Sequence, residues 1–151
     1  MKLHRTLSGL TLIALMSIAS GAHAQAKAYV QFVGAYGEDY GTATLTQTPK
    51  GVLIKAALKG LPPGEAALRI HAVGACSPPF SSAGGAFEAA GEMPKIDISG
   101  AETSVEMLNN RVTLERGSAN SLIDGRGTAL IVHVRRGSNS TMRMACGVVR
   151  L

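Results

Sequence analysis

An all-β domain, a sandwich or barrel of eight or nine short strands, is the fold class this sequence predicts, and three observations carry it. Short runs rich in Val, Ile, Thr and Leu recur from Lys27 onward. Gly, Pro and Asn punctuate these runs at the spacing of strands and turns. No long amphipathic helix period interrupts them. In chain order the first candidate strands are Lys27–Val33, Thr42–Thr48 and Gly51–Leu58. The turn Pro62-Pro63-Gly64 then leads to Ala66–Val73. Gly74 to Glu92 follows, nineteen residues of Gly, Ser, Pro and Ala without a strand period. A loop of that length is uncommon in a compact domain unless it is functional or pinned, and Cys76 offers a pin. Lys95–Ile98, Thr103–Leu108 and Arg111–Leu114 come next. Asn109-Asn110 between the last two reads as a tight hairpin turn, because Asn tolerates positive φ. Asp124-Gly125 precedes Thr128–Arg135, and Arg136-Gly137 separates that run from Met142–Val149.

Composition bounds the class further. With 151 residues, 46% of them hydrophobic and 17% charged, the chain can build one domain with a sizeable core. Aromatic residues are 4% and Trp is absent, which argues against a nucleic-acid binder built on base stacking. Lys2 and Arg5, the apolar stretch Leu10 to Ile18 and Ala22-His23-Ala24 together read as an export signal, residues 1–24, cut near Ala24. No later segment approaches the length of a membrane span, so the expectation is a periplasmic or secreted domain over residues 25–151. Taking Lys2 and Arg5 from the 15 basic residues leaves 13 against 10 acidic ones, too mild an excess to argue for nucleic acid. His4 and His23 leave with the signal, so histidine chemistry rests on His71 and His133.

Two cysteines, Cys76 and Cys146, remain. In an oxidising compartment an even pair reads first as a disulfide; the competing reading, a catalytic or metal-binding thiol, lacks any CxxC spacing.

Five stretches carry a family resemblance: GLPPGE (Gly60 to Glu65), IHAVGAC (Ile70 to Cys76), SAGGAF (Ser82 to Phe87), DGRGTALIVH (Asp124 to His133) and RMACGVV (Arg143 to Val149). In this order they resemble the Cu/Zn superoxide dismutase family, bacterial periplasmic branch. The resemblance implies an eight-stranded Greek-key β-barrel or sandwich of immunoglobulin-like topology, with Cys76 and Cys146 as the family disulfide. It also implies a degraded metal centre. The family's H-x-H pair, whose members share a strand face, is here Arg69 and His71. Ala86 stands at the position of the histidine that bridges copper and zinc, while the fourth copper histidine is kept as His133. Glu92 stands at the zinc aspartate without histidine partners, so zinc is not expected. Arg143 matches the arginine that guides superoxide.

Other readings compete at these residues. Met93, Met107, Met142 and Met144 are either soft copper ligands or fillers of irregular core gaps; Met142 and Met144 are expected on one strand face with Cys146, and Arg143 on the other. Arg135-Arg136 reads as a solvated turn, or as part of an anion-binding patch with Arg69 and Arg143. Arg69 opposes any bound cation, by about 4 kcal/mol per unit charge at 4 Å and a dielectric of 20, an upper bound because its long side chain can swing away. The functional expectation is a non-catalytic family member that binds cuprous ion weakly through His71 and His133. The alternatives are a dismutase on a reduced copper-only site and a metal-free structural or interaction protein, with a small anion or copper ion as the partner.

Overall fold

The computed structural model describes residues 24–151, and the expected export signal up to residue 23 falls outside the described residues. Eight strands form: β1 (Lys27–Val33), β2 (Asp39–Thr48), β3 (Gly51–Lys59), β4 (Gly64–His71), β5 (Lys95–Ile98), β6 (Glu102–Asn109), β7 (Ala129–Arg136) and β8 (Ser140–Val148). Among the described residues, helix is limited to two 3-10 turns, Ser81–Ala83 and Glu88–Ala90. None of the described helices is long and apolar enough to cross a membrane.

All ladders are antiparallel, in the order β5-β4-β7-β8-β1-β2-β3-β6. β5 and β6 lie at opposite ends of this list, yet only Ser99, Gly100 and Ala101 join them. Three residues cannot cross a flat eight-stranded sheet, since each adds at most about 3.6 Å. The sheet therefore curls into a nearly closed barrel. Its interior is filled by alternate residues of each strand, such as Ala28, Val30 and Phe32 of β1 and Val52, Ile54, Ala56 and Leu58 of β3.

β7 departs from this alternation because Ala129 to Val134 are all buried. Its outer face is covered by the long loop after β4. Phe80 and Ala83 of that loop pack on Ala129, Ile131 and Cys146 as a second, smaller core, with Cys76 against it. Cys76 and Cys146 are disulfide-bonded, so the loop is pinned to β8.

Three local expectations are corrected. Arg111–Leu114 is not a strand: Val112 and Leu114 reach the core from a loop. The backbone of Thr113 pairs with Asn120 O and Leu122 N in a single parallel bridge, and the side chain of Gln47 accepts from Leu114 N at 2.6 Å and Thr113 Oγ1 at 2.9 Å. Asn109-Asn110 is not a hairpin turn, and neither residue has positive φ. Asn109 is buried; its amide donates to Ala90 O at 3.0 Å and accepts from Arg111 N at 3.0 Å. Finally, Met142, Met144 and Cys146 do not share a face. Val132 pairs with Ala145 but His133 pairs with Arg143, so Met144 is an extra residue in a β-bulge. The bulge inverts the side-chain parity of β8. Met142 and Met144 pack against the main core, while Arg143 and Cys146 both face outward under the loop. Met93 and Met107 also pack in or on the main core.

Candidate metal centre

His71 ends β4 and His133 lies on the adjacent β7, both on the outer face of the barrel beneath the loop. They are 3% and 8% exposed. Their Nε2 atoms lie 3.1 Å apart. The ring centroids are 5.4 Å apart with planes within 9°, and this separation exceeds the N···N distance by about the two ring radii. The imidazoles thus meet edge to edge and not face to face.

The proton positions follow from the partners. His71 Nδ1 lies 2.9 Å from Gly84 O, and a carbonyl only accepts, so Nδ1 of His71 carries a hydrogen. In neutral His71, Nε2 is then the acceptor, and the bond is donated by Nε2–H of His133. Burial holds the His71 ring below its ordinary range, with Arg143 and Arg69 adding to the effect against the Gly84 bond. For His133, burial first, then His71, Arg69 and Arg143, push the pKa down to about 4. Both rings are neutral near pH 7.

The loop supplies the anchor. Backbone bonds from Ala72 N to Gly85 O (3.0 Å), Val73 N to Ala83 O (3.1 Å) and Phe87 N to Ile70 O (2.8 Å) lay it along the end of β4. Gly84, at φ 71° and ψ −157°, occupies backbone space open essentially to glycine alone, and so turns its carbonyl toward His71. The same carbonyl accepts from Arg143 Nη2 at 3.1 Å, while Arg143 Nη1 donates to Phe80 O at 2.6 Å. Phe80 itself sits at φ 72°. Neither Gly84 nor Phe80 was marked as a site residue by the sequence; the double glycine was the one signal for this turn.

The remaining expected positions converge. Arg69, Ala86, Glu92 and His133 border one cavity of about 360 Å³, and Ala86 is bridged to His71. Arg135 borders the same cavity as Arg69; it is held by Glu65 at 3.0 Å through Nε, and Lys95 takes the other oxygen of the same carboxylate at 3.0 Å. Among the described residues, no group of three or more His, Cys, Asp or Glu side chains could hold a metal ion. A structural zinc ion needs four ligands and is not fitted by this donor set. A tetragonal cupric ion is not fitted either. Two neutral imidazole nitrogens facing each other suit an ion of low coordination number, provided they part by about 1 Å, since metal–imidazole bonds are about 2 Å each.

A barrel of eight antiparallel strands with a facing histidine pair on its outer wall, under a disulfide-pinned loop, defines the class of scaffold. Residues 39–149 match the family of copper/zinc superoxide dismutases (SODC). The chain belongs to that family. It is similar to the Cu-Zn superoxide dismutase 2 of Aquifex aeolicus (strain VF5), 38% identical over 171 aligned positions that cover 97% of this chain and 99% of the relative. That alignment is longer than the chain itself, which places gaps in this chain. The Cu-Zn superoxide dismutase 1 of the same organism is 40% identical over 149 positions, 82% of this chain and 88% of the relative. Among solved structures, a SOD-like protein from Bacillus subtilis superposes with a TM-score of 0.71 at 25% identity, covering 80% of this chain and 96% of that one.

Proposed function

We propose that this chain is an exported family member that does not dismutate superoxide and that binds a single cuprous ion weakly through His71 and His133. The observation that carries this reading is the 3.1 Å contact between the two Nε2 atoms. It supplies two neutral nitrogen donors aimed at one point, and His71 is oriented from behind by Gly84 in the way ligating histidines are usually held. The binding is weak because the ion must replace a hydrogen bond, and His133 must move its proton from Nε2 to Nδ1. Arg69 and Arg143 favour the lower charge, since their repulsion scales with the charge of the ion. Copper in this family supplies a one-electron redox couple; here the third and fourth nitrogen donors are replaced by Arg69 and Ala86, and the guanidinium of Arg143 is tied to two loop carbonyls. Export is supported by the residue 1–24 pattern and by the disulfide.

Titration against a competing cuprous chelator tests the site. The intact protein is expected to take up one equivalent, and His71→Ala and His133→Ala to lose at least tenfold in affinity. Equal uptake by all three would make the histidines purely structural. Copper-loaded protein is expected to show negligible dismutation, and a rate near the diffusion limit would overturn that part of the reading.

A further inference from the structure

The cavity beside the histidine pair carries opposite charges on two sides. Its sheet side presents Arg69 and Glu65 of β4, Lys95 of β5 and Arg135 of β7; its loop side presents Glu88 and Glu92. On the sheet side Arg135 and Lys95 share the one carboxylate of Glu65, which leaves that side with a surplus of two positive charges. Arg69 has no hydrogen-bond or ion-pair partner among the described residues, and neither have the carboxylates of Glu88 and Glu92. No ion pair within 4.0 Å crosses the gap. Between the two sides lie Ala67, Ala86 and the half-buried Phe87 and Met93. At about 360 Å³ the cavity falls in the size range of small-molecule sites, and six of its lining residues are charged.

Separated charges of opposite sign select a ligand by difference. A simple anion that reaches Arg69 is repelled by Glu88 and Glu92, and a simple cation drawn to the glutamates is repelled by Arg69 and its neighbours. A ligand with a carboxylate at one end and an ammonium at the other satisfies both sides. Arg69 makes no ion pair with Glu88 or Glu92, so one ligand charged at both ends can meet both sides, and a dipeptide, whose backbone spans about 7 Å between its ends, is the smallest peptide of that kind. We propose that this cavity binds a short peptide of dipeptide size by its two termini, the carboxylate on Arg69 and the ammonium between Glu88 and Glu92, with a side chain over Phe87 and Met93. His133 borders the same cavity, but the proposed contacts use Arg69, Glu88 and Glu92 and no histidine nitrogen, so the proposal does not rest on the copper reading.

Calorimetric titration of the intact protein, with a cuprous chelator present to keep the histidine pair free of copper, decides the matter. The probes are alanyl-leucine, its N-acetyl form and its C-terminal amide. Alanyl-leucine is expected to bind, and each blocked form to bind at least tenfold more weakly. Arg69→Gln should abolish the discrimination against the amide. Glu88→Gln combined with Glu92→Gln should abolish the discrimination against the N-acetyl form. These side chains are exposed, and unchanged melting curves will show that the variants fold. Absence of binding at millimolar peptide, equal binding of all three probes, or discrimination that survives the substitutions would each overturn the proposal.

Discussion

The proton shared by two histidine rings is the residue-scale feature with the most direct physical consequence. Both pKa shifts are downward, so the native state resists protonation more than the unfolded chain does. For His133 the unfolded chain binds the extra proton between about pH 6.5 and about pH 4. Stability from this source is therefore complete above that window and lost as the pH falls through it, by up to about 3 kcal/mol. Urea denaturation at a series of pH values should show the midpoint falling steeply below pH 6.5. His133→Gln, which cannot charge, should flatten that slope; an unchanged slope would place the acid sensitivity elsewhere. His71 and His133 were legible in the sequence as a pair facing one pocket through the family resemblance. Their direct contact was not, because the distance between two side chains on neighbouring strands depends on register.

At the scale of elements, the loop between β4 and β5 depends on the bond from Cys76 to Cys146, which closes a separation of 70 residues. A closure of that length stabilises by about 4 kcal/mol on the chain-entropy account. Cys146→Ser is expected to lower the melting temperature by about 10–20 °C, and thiol titration of the native protein should find no reactive cysteine. The seam between β1 and β8 has its own constraint. A Cβ on Gly147 would collide with Val30 Cγ1 and stand 2.5 Å from the Gln31 carbonyl oxygen, in the interior of the barrel wall. Gly147→Ala should destabilise the protein by roughly 3 kcal/mol in chemical denaturation, and a change below about 0.5 kcal/mol would show that the seam can widen. The run Arg111–Leu114 illustrates how an element is misjudged at this scale. Its apolar residues do enter the core, as a strand's would, but its backbone is satisfied by a single bridge to Ser121 and by the side chains of Gln47, Asn109 and Asn120 and not by a neighbouring strand.

Across the whole molecule, the barrel, the pinned loop and the cavity form one framework around the histidine pair. Arg69 and Ala86 border the cavity that His133 borders, and Ala86 is bridged to His71. Arg69→His together with Ala86→His therefore adds two nitrogen donors beside the existing pair. That double variant is expected to bind cupric ion at least tenfold more tightly than the parent and to give the paramagnetic resonance spectrum of a nitrogen-rich copper site. Parent-like affinity would mean that the loop no longer holds the copper geometry.

Periodicity and turn chemistry by themselves determined that the chain is a β domain with strands at nearly the observed places: β1 and β5 keep their expected bounds, and the others differ by a few residues at their ends. That information is local, since alternation and Gly or Pro punctuation act within a few residues. The motifs, taken together, determined the family. Only the tertiary structure decided that Met144 is a bulge residue, that Arg143 and Cys146 therefore face the same way, and that Gly84 orients His71 and Arg143 at once. It alone placed Glu65 between Arg135 and Lys95, and Glu88 and Glu92 across a cavity from Arg69. Each of these depends on the pairing of strands distant in sequence, and a shift of one residue in such a pairing turns every side chain to the opposite face.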